Sequence, residues 1–423
     1  MMNLNTISCT FVAVYLAQML FALWMARLNS IHIRRFGNRV PEAFEGLVDS
    51  NKLAEMNAYT IESIRFGMVH KVVVDALLLC LILSGFVTFV GRMSASTQFH
   101  EVWAGTLFFV ILGVVFFIVE LPFDWYHTFL LEQKYGFNRS TMKLWIGDNL
   151  KGILLQLGFL ILLIVPILWF IRLFPDSWWV WAFLVVVVVE LCIIEIYPVL
   201  IAPLFNRFEP LKDERLAEEV KRLAEIADMK TSGIFQMDAG KRSSHSNAYF
   251  TGLGKTKRVV LFDTLLASND RREILAVLAH EIGHYRLRHV LKSLVLSLAA
   301  TLAGFYLVSL LLSWSPMYER LGIDPAQPYV VLFFIGIFLQ RVGYFLKPAY
   351  TVWSRRFERQ ADLFAKRLLG TAEPMIGALK RLASDNLANL NPHPLYVWFN
   401  YSHPPIVERI GLMEREEDEG RRS

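Results

Sequence analysis

Long apolar runs alternate with polar stretches along this chain of 423 residues. A membrane-spanning helix needs about 20 consecutive, mostly apolar residues. Seven segments meet that requirement, at residues 6–26, 69–91, 102–121, 152–172, 178–203, 291–314 and 328–349. The pattern predicts a mainly α-helical, polytopic membrane protein with seven transmembrane helices and two larger polar segments, 205–290 and 350–423.

The composition agrees with this class of protein. Apolar residues make up 55% of the chain and charged residues only 19%, whereas soluble domains carry about 25% charged residues. The cysteines form no CxxC pair and lie inside apolar runs, which argues against a disulfide framework or a cysteine zinc site; they are Cys9, Cys80 and Cys192. No motif typical of RNA or DNA binding is present, so we expect the lipid bilayer, and no nucleic acid, as a partner.

Basic residues concentrate on one side of this predicted topology. Lys and Arg cluster after the first span, between the third and fourth spans, in 205–290 and in the C-terminal tail. Because cytoplasmic loops carry an excess of basic residues, we expect the N-terminus outside and the C-terminus in the cytosol. We interpret the first span as a retained anchor, with a removable signal peptide as the alternative. Short loops favour a bacterial inner membrane over the endoplasmic reticulum.

The polar segment 205–290 predicts a small α+β unit. Four apolar residues recur at helical spacing between charges, namely Leu216, Val220, Leu223 and Ile226. Three short strands with Gly-rich turns follow, at 233–238, 247–253 and 258–263. The charge-rich last ten residues, 414–423, predict a disordered, solvated tail.

The stretch HEIGH at 280–284 carries the strongest chemical signal. Residues four apart on a helix share a face, so His280 and His284 can reach one metal ion. Glu281 lies beside them and is placed to handle a water molecule rather than to ligate. Catalytic zinc takes three protein ligands and keeps one position open, so a third ligand is needed.

The third ligand does not follow directly in the sequence. One zincin subclass would need a glycine and a histidine where this chain has Leu287 and Val290. His289 is five residues beyond His284, about 140° further around a continuous helix. We therefore expect His289 to face away from the site as a surface histidine.

Glu358 and Asp362 are the better candidates, because they lie four apart on one predicted helix. Glu358 would ligate the metal, and Asp362 would hydrogen-bond the outer nitrogen of a ligand histidine. Spacing alone favours equally a pair of surface acids in salt bridges with Arg355 or Arg359. The sixth and seventh spans form a hairpin that returns Glu358 to the side of the membrane from which His284 departs.

Two further segments are candidates for substrate contacts. His403, in a proline-rich stretch, could donate a hydrogen bond to an oxyanion; the alternatives are a loop histidine or a spare metal ligand. Asn247, Ala248 and Tyr249 lie in a predicted exposed strand whose edge could pair with an extended peptide, or which could be ordinary sheet.

Several stretches together resemble the type I CAAX prenyl endoprotease family of integral-membrane zinc metalloproteases. They are LPFDWYHTFLLEQKYGFNRST, YPVLIAPLFNRFEPL, SSHSNAYFTGL, HEIGH, SRRFERQAD and YSHPPIVERI. The resemblance implies one zinc ion on His280, His284 and Glu358, with Glu281 as the base. It also implies that Asp362 supports a ligand, that Asn247 lies near the substrate strand, and that His403 and Arg409 lie near the reacting centre.

The fold that this resemblance implies is a barrel of seven helices around an intramembrane chamber, with a cytosolic zincin-like α+β catalytic domain. We expect four parts: spans one to five in 1–204, the zincin-like subdomain in 205–290, a transmembrane hairpin in 291–349, and the Glu-ligand helix with the C-terminal segment in 350–423. Ionisable residues in or near spans face a hydrated chamber or pair in a packed bundle; they are Asp75, Glu120, Glu190, Glu195 and Arg341.

The function expected from these features is a membrane-embedded zinc endopeptidase. Its substrates would be prenylated CAAX-type or other membrane-associated proteins, cut near the C-terminus. The alternatives are a quality-control protease of broader specificity, a transporter or channel with structural zinc, and an inactive scaffold that binds lipidated peptides. A structural site would need no Glu281, because all four metal positions would be closed by ligands.

Overall fold

A computed structural model describes residues 5–229, 231–251 and 258–422 of the chain. Its α-helices are α1 (Thr6–Phe36), α2 (Ser50–Leu83), α3 (Phe86–Ala95), α4 (Glu101–Tyr126), α5 (Met142–Leu173), α6 (Trp178–Ile196), α7 (Ala202–Phe205), α8 (Glu214–Ile226), α9 (Asp263–Ser268), α10 (Arg271–Arg286), α11 (His289–Leu312), α12 (Ser315–Leu321), α13 (Pro328–Tyr344), α14 (Lys347–Leu369), α15 (Glu373–Asp385), α16 (Pro394–Asn400) and α17 (Ile406–Arg422). Short π-helical turns extend α4 through Glu132 and α6 through Ile201.

The strands form one small mixed sheet. They are β1 (Phe208–Pro210), β2 (Gly233–Met237), β3 (Ala248–Thr251) and β4 (Arg258–Phe262), in the order β1-β2-β4-β3. β2 and β4 are parallel, and the other two pairs are antiparallel. The predicted strands are therefore present, although the end of the segment 247–253 lies outside the described residues.

Six helices of the described chain are long and apolar enough to cross a membrane, and the bent pair α13–α14 supplies a seventh. The two helices of that pair meet at an angle of 54°. The C-terminal end of the predicted second span, 69–91, was wrong. Helix α2 stops at Leu83, and Gly85, with a φ of +81°, starts the separate short helix α3.

The spans close into a ring. Each of α4, α5, α6, α11 and α13 contacts the next in that order, α13 contacts α1, and α1 contacts α2. Helix α3 bridges α2 and α4 and so completes the circuit. The chain is thus a closed barrel of helices rather than an open array.

The centre of the barrel is hollow. Of the most apolar 18 residues of each of the six long spans, 33% are buried in α4 and none in α11. A solid bundle would bury one face of every helix, so the low values of α11 and of α5 and α6, at 6% each, favour a hollow centre. One end is sealed by an apolar core drawn from all the spans, which includes Tyr15, Ile82, Phe108, Trp178 and Tyr329.

The other end carries the sheet and its helices. α8, α9, α10 and α14 pack with the strands around a second apolar core that includes Val220, Leu261 and Leu278. The predicted amphipathic helix is α8, but its last apolar residue, Ile226, is 67% exposed.

The predicted disordered tail was wrong at the level of secondary structure. Helix α17 runs to Arg422. The side chain of Glu417 accepts hydrogen bonds from the backbone N–H of Ala372 and from the hydroxyl of Thr371, and Lys366 donates to the backbone carbonyl of Glu416. These contacts hold the charged segment against the ends of α14 and α15.

Candidate metal centre

Helix α10 is stabilised by a cap at its first turn and by a buried apolar face. Asp270 and Glu273 form a reciprocal capping box at its first turn. Ile274, Leu278 and Ile282 form the buried face, because residues three or four apart share one side of a helix.

Helices α10 and α14 approach closely at Gly283. A β-carbon at Gly283 would lie 3.1 Å from the Cα of Ala361 and 3.2 Å from the Cβ of Phe364. The missing side chain therefore lets the two backbones come together where the candidate ligands lie.

Three side chains converge between these two helices. The Nε2 atoms of His280 and His284 are 3.2 Å apart. Glu358 places its carboxylate oxygens 3.4 Å from the Nε2 of His280 and 3.3 Å from that of His284. One potential ligand atom from each residue thus lies within 4.8 Å of the others.

This donor set fits a divalent metal ion. Two imidazole nitrogens and a carboxylate are a common ligand set of catalytic zinc. The Oε2 atom of Glu358 is buried without a hydrogen-bond partner, a costly arrangement for a carboxylate unless a cation compensates it. The alternative of a surface salt bridge is wrong, because Glu358 is only 4% exposed, Arg355 binds backbone carbonyls and Arg359 pairs with Glu408.

Asp362 and Arg409 lie behind His280. The Nδ1 of His280 is 2.8 Å from Asp362 Oδ1, and Arg409 donates from Nε and Nη2 to the two carboxylate oxygens of Asp362 at 2.9 and 2.6 Å. Burial alone would raise the pKa of Asp362, but Arg409 and His280 more than offset it and hold that pKa below its ordinary value. The structure therefore places Arg409 on the far side of His280 from the converging Nε2 atoms.

The expectation that His289 is a surface residue was wrong. His289 is 2% exposed, its Nδ1 is 3.2 Å from the Nδ1 of His284, and its Nε2 is 2.9 Å from Gln360 Oε1. The prediction assumed one continuous helix, but α10 ends at Arg286 and Arg288 adopts a φ of +57°. This turn swings His289 back onto His284, and its ring stacks on Phe357 at 4.1 Å.

Glu281 and His403 border the converging atoms. Burial raises the pKa of the Glu281 carboxyl, although His280 and His284 oppose the shift. The Nε2 of His403 is 3.3 Å from Glu358 Oε1, and its Nδ1 is 3.0 Å from Ser402 Oγ. His403 exposes 63% of its side chain, and desolvation by the surrounding protein lowers its pKa.

The segment that carries His403 is held by Arg355, which the sequence suggested only as a salt-bridge partner of surface acids. Arg355, one turn before Glu358 on α14, donates to the backbone carbonyls of Tyr401 and Val397 at 2.6 and 3.0 Å. A buried arginine in SRRFERQAD has no spacing signal, because its partners are backbone atoms more than forty residues away.

The predicted substrate strand is an outer strand of the sheet. β3, with Ala248 and Tyr249, pairs with β4 on one side and packs against α10. Asn247, just before β3, accepts a hydrogen bond at its carbonyl from the N–H of Phe262. The structure thus places these residues next to the motif helix, with the second edge of β3 unpaired among the described strands.

Comparisons with known proteins agree with this arrangement. Residues 29–207 match the family model of the CAAX prenyl protease N-terminal region with five membrane helices, and residues 210–417 match that of peptidase family M48. The chain is 33% identical to the CAAX prenyl protease 1 homolog of rice, with 89% of this chain and 90% of the relative covered. It is 30% identical to the mouse homolog, with 96% and 95% covered.

A solved structure has the same fold. The crystal structure of S. mikatae Ste24p superposes with a TM-score of 0.90 at 30% sequence identity, and covers 97% of this chain and 99% of that chain.

Proposed function

The chain belongs to peptidase family M48, and from this premise we propose that it binds one zinc ion through His280, His284 and Glu358 and cuts prenylated or membrane-associated proteins near the C-terminus. That it is an integral-membrane metalloendopeptidase follows from its family and its spans. The observation that carries the proposal is the convergence of three ligand groups beside Glu281, at the end of a hollow barrel.

The assigned roles follow from the positions of the side chains. Zinc, when bound, supplies positive charge that polarises a peptide carbonyl and makes water more acidic. Glu281 accepts a proton from the attacking water on its carboxylate and delivers it to the nitrogen of the leaving amine. His403 donates from Nε2 to the oxyanion that develops at the carbonyl.

Two other residues act through the ligands. Asp362 accepts from the Nδ1–H of His280, which keeps Nε2 free of hydrogen for the metal. Arg409, which the family resemblance implies near the reacting centre, keeps Asp362 ionised. We therefore assign Arg409 as a positioning residue rather than a substrate contact.

The substrate is an extended peptide segment. Asn247, Ala248 and Tyr249 offer a strand edge beside α10, and an extended chain can add to such an edge through main-chain hydrogen bonds. A prenyl group would be accommodated in the apolar interior of the barrel. The names of the relatives, CAAX prenyl protease 1 homologs, support this substrate class.

Topology and boundaries complete the proposal. We place the N-terminus outside and the C-terminus in the cytosol, because seven spans and the basic segments agree with that orientation. We also propose that the chain divides into the four parts predicted from the sequence, with boundaries after residues 204, 290 and 349. A bacterial inner membrane stays a prediction from loop length, and the relatives from rice and mouse give it no support.

The test compares wild type with Glu281→Ala in detergent. Metal content is measured together with cleavage of a farnesylated CAAX-ending peptide and of its unprenylated twin. We expect about one zinc per chain in both proteins, and a rate at least about 100-fold lower in the variant, since the general base is gone. The peptide pair decides between the prenylated substrate and broader quality control. Equal zinc content without cleavage by either protein would favour a transporter with structural zinc.

A further inference from the structure

A cavity of about 510 Å³ is lined on one side by α1 and α2. Small residues on both helices make room for it, namely Ala22, Ala26, Ser63 and Gly67. The segment from Asn386 to Tyr401 lines the opposite wall. Its size is within the range of about 300–1,000 Å³ that is typical of ligand pockets.

The cavity adjoins both segments that flank the metal centre. Asn386 lines the cavity, and its Oδ1 is 2.9 Å from the Nδ1 of His245, two residues before Asn247. Tyr401 also lines the cavity and lies two residues before His403. A peptide on the β3 edge could therefore continue into this space.

The cavity carries a single formal charge. Lys71 is the only Lys, Arg, Asp or Glu among its lining residues, and 26% of its side chain is exposed. The other lining residues are uncharged, so the cavity is positive at Lys71. They include Leu23, Ile64, Met68, Thr60 and Tyr396.

The positive charge is not fully balanced by the protein. Lys71 is 2.8 Å from Asp75 Oδ2, but the other oxygen of Asp75 is 2.8 Å from Arg341 Nη2. The remaining partners of this cluster, Tyr15 and Gln18, are neutral. Two cations thus share one carboxylate, which leaves one unit of positive charge beside the cavity.

We propose that this cavity binds the C-terminal residues of the peptide, with the free α-carboxylate paired to the Nζ of Lys71. The inference rests on the proposed function, because it names a subsite of the same reaction. Thr60 and Lys71 are eleven residues apart on α2, or about 16 Å along the helix. About five extended residues span that distance, so a C-terminal segment of about five residues can run along the cavity from Thr60 to Lys71.

The test measures binding without turnover. Zinc-loaded Glu281→Ala protein in detergent is titrated calorimetrically with a farnesylated peptide that ends Cys-Val-Ile-Ala, as the free acid and as the C-terminal amide. We expect the acid to bind about tenfold more tightly, the value of one charge-assisted hydrogen bond. Adding Lys71→Met should bring the acid and the amide to equal affinity, and Lys71→Arg should keep the preference.

Arg65→Met is the matched control, because Arg65 lies exposed on α2 outside this cavity. It removes the same charge and should leave the preference unchanged. Any of three results overturns the inference. The protein with Lys71 could bind the acid and the amide equally, the preference for the acid could survive Lys71→Met, or neither peptide could bind. Cleavage by the wild-type protein is assayed separately. A preference for the carboxylate without cleavage would support the subsite and contradict the proposed protease activity. Cleavage without a preference for the carboxylate would contradict the subsite alone.

Discussion

At the scale of single residues, the two histidines proposed as metal ligands are held by different partners. His280 is supported by the carboxylate of Asp362, whereas His284 is supported by the neutral ring of His289. If the Nε2 of His284 faces the metal, its Nδ1 carries the hydrogen and the Nδ1 of His289 must accept it. The Nε2–H of His289 then donates to Gln360 Oε1. Each hydrogen bond in the series from His284 through His289 to Gln360 therefore has a defined donor and acceptor.

Replacement of His289 should loosen the metal. His289→Phe keeps a ring that can stack on Phe357 but leaves the Nδ1–H of His284 without an acceptor. Loss of such outer partners costs about 10–100-fold in metal affinity, and we expect that range in competition with a zinc chelator. The matched change Gln360→Glu keeps an acceptor for His289 and should retain zinc. Unchanged zinc retention in His289→Phe would contradict this role.

At the scale of elements, the closeness of α10 and α14 depends on Gly283. Gly283→Ala would place a methyl group about 0.3 Å too close to the backbone of Ala361, since ordinary contacts begin near 3.4 Å. The backbone of Ala361 cannot rotate away, so the helices must shift. Misplacement by about 1 Å can cost about 100-fold in rate.

We therefore expect Gly283→Ala to lower kcat/KM by at least about tenfold, while the thermal midpoint changes little. Overpacking costs about 1–3 kcal/mol, but the helix gains about 1 kcal/mol when alanine replaces glycine. Gly304→Ala on α11 is the control, because a β-carbon there meets nothing within 4 Å. Full activity in Gly283→Ala would mean that the two helices need not approach this closely.

The same two helices mark the limit of prediction from the sequence. HEIGH predicts a helix with His280 and His284 on one face, whereas the four-residue spacing makes Glu358 and Asp362 only candidates, which the hairpin topology and the family resemblance favour. The break at Arg288 could not be predicted, because a non-glycine residue with positive φ gives no pattern signal. The role of His289 depends on that break and was therefore missed.

At the scale of the whole molecule, hydropathy predicted the number of spans but could not distinguish their faces. A side chain that faces lipid and one that faces the chamber are both apolar in many positions of α5 and α6, so no period separates them. Closure of the ring needs the contact between α1 and α13, whose residues are some 320 positions apart, such as Gln18 and Arg341. Only the family resemblance implied that barrel.

The buried charges at this closure are the subject of the last prediction. Arg341 on α13 bonds to Asp75 on α2 and to Gln18 on α1, so it ties the first helices to the last span. Arg341→Met leaves Asp75 paired with Lys71, whereas Asp75→Asn leaves both cations without a carboxylate.

An unpaired buried charge costs about 3–5 kcal/mol. Asp75→Asn should therefore lower the thermal midpoint in detergent clearly more than Arg341→Met does. The double variant Asp75→Asn with Arg341→Met should recover part of the loss, because it removes one of the two uncompensated cations. If Arg341→Met lowered the thermal midpoint as much as Asp75→Asn does, the stability of the closure would depend on the geometry of the guanidinium and not on the balance of charge.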